Sequence, residues 1–123
     1  LWMRESFNEG IRNGLQEYYY ENGQLMERDN YKNLKFHGSR EGYLQSGQLE
    51  WFENYKDGKY HGLQKYFYQN NQIRWSGNYD NGNKIGLTQT FRPTGEILIA
   101  EYYVENKPVV YKYFDKKNQR VTY

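Results

Sequence analysis

The chain has two histidines, the residues best suited to acid–base or metal chemistry near neutral pH. His37 and His61 stand 24 positions apart, each directly before a glycine, Gly38 and Gly62. Asn13 and Ile85 fill the same place one period earlier and later, which is the pattern of a turn position and not of a catalytic group. Two histidines would also leave a zinc site short of its four ligands. There is no cysteine, so disulfides, thiolate metal sites and thiol nucleophiles are excluded. Carboxylates recur at the same spacing, Glu17 with Glu41 and Asp29 with Glu53 and Glu101, and are expected to form exposed ladders. Glycosidase chemistry would instead need two carboxylates in a differentiated concave site. Ser6, Ser39, Ser46 and Ser76 have no His or Lys in a nucleophile setting. The expectation is therefore a protein that is not an enzyme, with no metal and no cofactor.

The remaining chemistry is that of flat rings and charges. Tyr18, Tyr20, Tyr66 and Tyr68, with Arg40 and Arg92, form the candidate binding surface, since rings of this kind can stack on sugars, bases or apolar side chains. Charge is unevenly spread. Residues 1–53 carry six basic and nine acidic side chains, and residues 54–123 carry eleven and six. Such polarity can steer a partner or orient self-association. The candidate rings are not interleaved with a continuous basic stripe, and the only basic cluster, Lys107, Lys112, Lys116, Lys117 and Arg120, lies in the atypical C-terminal segment, which argues against nucleic acid as a partner.

These residues need a frame that a thick aliphatic core cannot supply. The 123 residues make one domain by length, but only 37% are hydrophobic and the mean hydropathy is −1.19. In place of aliphatics stand 15 Tyr, 6 Phe and 3 Trp, which favour half-buried pleated surfaces. No apolar run approaches the ~20 residues that span a bilayer. No secretory apolar segment is visible at Leu1, yet the chain opens inside a repeat, as expected of a form from which a leader could have been removed.

The frame is a 24-residue repeat. Gly14, Gly38, Gly62 and Gly86 share one register; so do Phe7, Tyr31, Tyr55, Tyr79 and Tyr103, and so do Leu1, Leu25, Leu49, Ile73 and Ile97. Tyr19, Tyr43, Phe67 and Phe91 make a further row, and Leu15, Leu63 and Leu87 another, with Ser39 its exception. The expected organisation is a partial unit 1–5, units at about 6–29, 30–53, 54–77 and 78–101, and a cap over 102–123, where Val110 replaces the recurrent glycine.

Each unit reads as two strands and two turns, giving an all-β, extended, twisted antiparallel meander. A tight turn such as Asn22-Gly23 alternates with a wider one such as Tyr55 to Gly62. A three-residue loop with Gly23 as a bulge pairs Tyr19 with Leu25, which puts both recurrent rows on one face. On this register the buried face carries Leu15, Tyr19, Leu25 and Tyr31 with their equivalents, plus Trp51, Trp75 and Ile99. The opposite face carries Gln16, Tyr18, Tyr20, Met26 and Arg28, varies between units, and is free to bind. The sheet is expected to roll enough to cover its recurrent aromatic face.

The units LQEYYYENGQL, YKDGKYHGLQKYFYQNNQI and YDNGNKIGLTQTFRPTGEI resemble bacterial MORN repeats, essentially over residues 1–100. Leu34 for a turn glycine, Ser39 for leucine and Asn71 for the hairpin glycine are departures. This variant is similar to the repeats of the YwqK-like antitoxin family, and the resemblance implies protein–protein recognition that neutralises a toxin by contact, in the cytoplasm. MORN repeats elsewhere are linked to membrane surfaces and protein attachment and occur beside plant lipid kinases, but the kinase-type phosphate loop and metal-binding Asp are missing from this sequence. Two alternatives stay open: an exported or surface-associated module for cell-wall glycan or anionic lipid, and a structural repeat that self-associates through its terminal strand edges.

Overall fold

The computed structural model describes residues 2–8, 11–114 and 120–122, with side chains described for 13–110 and 112. Leu1 and the basic residues Lys116 and Lys117 lie outside the described residues. The strands are β1 (Trp2–Asn8), β2 (Ile11–Tyr19), β3 (Leu25–Lys32), β4 (Lys35–Tyr43), β5 (Leu49–Lys56), β6 (Lys59–Tyr60), β7 (Gly62–Phe67), β8 (Ile73–Asp80), β9 (Asn83–Phe91), β10 (Ile97–Val104), β11 (Lys107–Phe114) and β12 (Arg120–Thr122). They form one antiparallel sheet in sequence order, with β6 paired to β5 just ahead of β7. The chain is thus all-β, a meander of successive antiparallel hairpins.

Two turn types alternate. At the first, Tyr20 N donates to Gln24 O at 2.9 Å and Gly23 N to Tyr20 O at 3.0 Å, closing a three-residue loop in which Gly23 has φ +88°. Tyr19 then pairs with Leu25, as the recurrence of both rows requires. Tyr43 with Leu49, Phe67 with Ile73 and Phe91 with Ile97 repeat that pair. The second turn is tighter than the expected wide one. Asn33-Leu34, Asp57-Gly58, Asn81-Gly82 and Glu105-Asn106 are two-residue loops with both φ positive, the type I′ geometry that matches strand twist. The extra length of this region sits in the following strand: between the pairs Asp29–Arg40 and Tyr31–Phe36, the residues His37, Gly38 and Ser39 stand against Asn30 alone.

The bulge is built from recurrent side chains. Asn30 Nδ2 donates to Ser39 O at 2.9 Å and Asn54 Nδ2 to Leu63 O at 2.7 Å. Gln64, 0% exposed, replaces missing ladder partners: Asn54 N donates to its Oε1 at 3.1 Å and its Nε2 donates to Asn54 O at 2.9 Å. His37 and His61 accept at Nδ1 from Asp57 N (3.3 Å) and Asn81 N (3.2 Å), so each braces the next turn. Backbone bonds from Gly58 N to Phe36 O and from Gly82 N to Tyr60 O, both 2.8 Å, complete that rail. In the β10–β11 hairpin the positive-φ glycine is replaced by Val110. The register there shifts by one residue between Tyr102–Val110 and Tyr103–Pro108, where the inner hairpins shift by two.

The expected face assignment needs correction. Tyr18 pairs with Glu27 while Tyr19 pairs with Leu25, so Met26 is an extra residue that inverts the alternation. Leu15, Tyr19 and Leu25 share one face; Gln16, Tyr18, Glu27, Asp29 and Tyr31 share the other. The Trp51 and Trp75 rows lie with the Tyr31 row, opposite Leu15. Apolar side chains are divided between two faces, and among the described residues no hydrophobic side chain is buried. The aromatic face is therefore not covered.

Leu34, 68% exposed with φ +69°, is a branched residue where the other type I′ turns place Gly or Asn. A left-handed backbone costs a side chain of this kind roughly 1–2 kcal/mol. Leu34→Gly, offset by glycine's own entropy, is expected to raise unfolding stability by about 0.5–1 kcal/mol in a urea titration; a decrease would mean that Leu34 makes a stabilising contact.

Candidate functional site

The Tyr31 face carries an aromatic row beside the type I′ turns. Tyr31, Phe36, Tyr55, Tyr60 and Tyr79 follow one another across the sheet with ring centroids 4.9–5.1 Å apart, tilted by 38–51°. Next to it runs a polar row, Gln16, Asp29, Arg40, Glu53, Gln64, Gly77, Thr88 and Glu101, set by the strand pairing. Asp29 is 2% exposed and Glu53 8%, so the carboxylates expected in exposed ladders are buried. Glu17, on the opposite face, is also buried and takes Arg28 at 3.0 Å.

Arg40 holds this row together. Its Nε donates to Asp29 Oδ1 at 2.9 Å and its Nη2 to Glu27 Oε2 at 2.8 Å, while Nη1 lies 3.5 Å from Glu53 Oε1. Its guanidinium sits 4.0 Å from the centroid of Phe36 and 5.0 Å from that of Trp51. Burial alone would lower its pKa, but the hydrogen bonds to Asp29, Glu27 and Tyr55 raise it on balance. Glu53 accepts three phenols: Tyr55 at 2.8 Å, Tyr60 at 3.2 Å and Tyr66 at 2.6 Å. Burial, then the bond to Glu53, pushes the Tyr66 hydroxyl well above its ordinary value. Asp29 is pushed up to about 6 by burial and by its neighbour Glu27, against the opposing pull of Arg40.

Most of the expected contact residues thus belong to the frame. Arg40 and the Tyr66 hydroxyl are committed to carboxylates. Tyr20 OH donates to Tyr43 O and Tyr68 OH to Phe91 O, each at 2.7 Å, fastening one three-residue turn to the next. Tyr18 receives a hydrogen bond from Gln16. Arg92 closes the turn over Pro93, Thr94 and Gly95 through backbone bonds to Glu96 and Gly95. Several of these positions, although they differ between units, thus also stitch neighbouring hairpins.

One place on this face departs from the pattern. Gly77 interrupts the carboxylate row, and Trp75 folds over it: a Cβ at Gly77 would lie 2.4 Å from the indole Cη2. Trp75 meets Tyr66 at 5.8 Å and Tyr79 at 6.4 Å between centroids. With Arg74, Lys84 and Thr90 these rings line an open cleft of about 430 Å³ that no carboxylate lines. Burial raises the pKa of the Tyr79 hydroxyl, with Tyr60 adding to the effect. Arg74 occupies the bulge position held by Met26, Glu50 and Leu98 in other hairpins, and Lys84 stands where Phe36 and Tyr60 stand. Of the expected binding residues only Tyr66 reaches this cleft. Gly77, Arg74 and Lys84 were legible as coincident departures from the repeat, whereas Trp75 shares its position with Trp51.

Two segments, residues 12–33 and 60–81, match the MORN repeat variant, at starts two 24-residue periods apart. No curated protein matches the sequence. Among solved structures, a point mutant of S. aureus TarM in complex with fondaparinux, alpha-GlcNAc-glycerol and UDP is similar at TM-score 0.44 and 13% identity over 77% of this chain. A second TarM structure is similar at 0.43 and 13% over 83%. The chain spans about a fifth of the TarM length, 19% and 20%.

Two outcomes test the Arg40 network. Arg40→Ala strands buried carboxylates and is expected to cost about 3 kcal/mol in urea unfolding at neutral pH; a loss under about 1 kcal/mol would show that the network is dispensable. Asp29 has a folded pKa of about 6, above its ordinary value, so its contribution is fully present below about pH 4 and is lost as pH rises through 6. Asp29→Asn should flatten the fall in stability between pH 4 and 7 by an amount on the order of 2 kcal/mol, read from midpoints across pH.

Proposed function

From the premise that the chain is a tandem array of MORN-type hairpin repeats, we propose that it is a non-catalytic binding module that recognises another protein. Its specific form is an antitoxin-like or immunity role, in which a stiff sheet covers part of a toxin. The observation that carries the reading is the contrast between Arg40 and the Trp75 cleft. Arg40 is spent on Asp29, Glu27 and Glu53, whereas Arg74 and Lys84 flank open aromatic rings with no carboxylate in the lining. Exposed aromatics with a cationic rim have the composition of recognition hot spots, where Trp, Tyr and Arg dominate affinity.

The carboxylates support a binding role over catalysis. Glu53 is filled by three phenols, and Glu41 and Glu101 accept from Tyr43 at 2.7 Å and Tyr103 at 3.3 Å, so each is engaged within the frame.

Affinity capture from native extract tests the proposal. The full chain should retain a stoichiometric protein partner, and Trp75→Ala should weaken that complex by about 2 kcal/mol while leaving the far-ultraviolet spectrum of the sheet unchanged. For the antitoxin form, expressing the captured partner alone should arrest growth, and co-expression with the intact chain should restore it. Recovery of no protein, together with retention on cell-wall glycan or anionic vesicles, overturns the reading.

A further inference from the structure

We infer that the Trp75 cleft receives an acidic segment of a polypeptide, with carboxylates held by Arg74 and Lys84 and an adjoining flat side chain laid against the Trp75 indole. This rests on the partner being a protein, as proposed above.

Charge is the first ground. Arg28 lies within 3.5 Å of Glu17 and Glu41, and Arg40 within 3.5 Å of Glu27, Asp29 and Glu53. Arg74 and Lys84, by contrast, make no ion pair with any described residue, and their cationic groups lie over rings: Arg74 Cζ is 5.8 Å from the Tyr66 centroid, and Lys84 Nζ is 5.7 Å from Trp75 and 5.1 Å from Tyr103. The sequence places Asp29, Glu53 and Glu101 at one repeat position and Gly77 at the same position in this unit. The carboxylate that would neutralise this stretch from within is missing, and a ligand must bring it.

Shape and donor chemistry narrow the class. With the indole seated on Gly77, its edge and outer face line an open cleft of about 430 Å³, in the lower part of the ~300–1,000 Å³ range of small-ligand sites. The Tyr66 hydroxyl is already donated to Glu53 at 2.6 Å, so the charged donors of the lining are the two cations, beside the neutral Tyr79 and Thr90 hydroxyls and the Trp75 indole N–H. Glu53 itself does not repel an incoming anion strongly, because Arg40 and three phenols surround it. Two cations suit one or two carboxylates. They are too few for capture by an anionic membrane surface, which draws on clusters of about four to eight basic residues, or for tracking a nucleic-acid backbone.

Two end-blocked peptides test this on the full chain, one alternating Glu with Tyr and one alternating Gln with Tyr, titrated by calorimetry with the Trp75 indole N–H followed by NMR. The Glu peptide is expected to bind about tenfold more tightly than the Gln peptide, to lose that advantage at high salt, and to shift the Trp75 signal. Arg74→Gln with Lys84→Gln should abolish the difference between the peptides while lowering the thermal midpoint by only a few degrees, because the two cations make ring contacts but no ion pair with a described residue. Lys65→Gln, on the other face, should change nothing. Equal binding of the two peptides, or binding of neither, overturns the acidic-segment inference. The protein-partner reading fails separately, if native extract yields no partner at all. Binding of a sulfated oligosaccharide or an anionic vesicle at the Trp75 signal, with no response to the Glu peptide, overturns the inference in favour of that ligand.

Discussion

The described residues form a single sheet without a second layer, so its side chains must be satisfied against their cross-strand neighbours, and that constraint governs this molecule. No hydrophobic side chain among the described residues is buried, and the most enclosed groups are polar: Gln16, Glu17, Asp29, Glu53, Gln64 and Thr88. Large aromatic rings suit this setting because a half-buried ring still removes much apolar area from water and can present a hydroxyl at its tip. Tyr55, Tyr60 and Tyr66 do both, lying in the aromatic rows and donating to Glu53. A low aliphatic content is therefore matched to the architecture.

The same constraint separates scaffold from site. Where the polar row holds carboxylates, as at Asp29 and Glu53, it gathers Arg40 and the phenols into closed networks with little to offer a partner. Where glycine takes the position, at Gly77, the indole of Trp75 fills the space and the neighbouring cations have no carboxylate beside them in the cleft lining. One change in the row converts a satisfied network into an open cleft. The turns, by contrast, are kept in place along both margins: His37 and His61 brace the type I′ side, and Tyr20 and Tyr68 fasten the other. A stiff sheet with fixed margins holds the cleft residues in position without a core beneath them.

The period, the hairpin meander and the three-residue turn that pairs Tyr19 with Leu25 could be read from the chain, because turn chemistry and side-chain recurrence are local properties. The distribution of rows between faces could not. It hangs on Met26 and its equivalents, single bulge residues that invert the alternation, so Tyr31 and Trp75 fall opposite Leu15 even though the turn was read correctly. Positional variability likewise pointed to Tyr20 and Tyr68, whose hydroxyls reach backbone carbonyls 23 residues away. A contact between successive hairpins at that distance leaves no mark on a single unit.

The sequence by itself determined the 24-residue repeat, the strand order that follows from hairpins at both ends of every strand, and the assignment of both histidines to the scaffold; the contacts by which they brace the next turn belong to the tertiary structure. It also held, as simultaneous departures from the repeat, the glycine, the arginine and the lysine of the Trp75 cleft. Only the tertiary structure decided which of the recurrent charges are neutralised. Pairing energy depends on the few ångströms between side chains on adjacent strands, and that geometry is fixed by register and bulges together. Arg40 and Arg74 are the same kind of residue in sequence, but Arg40 lies among three acidic groups and Arg74 beside a ring, and that difference makes one of them scaffold and the other available to a partner.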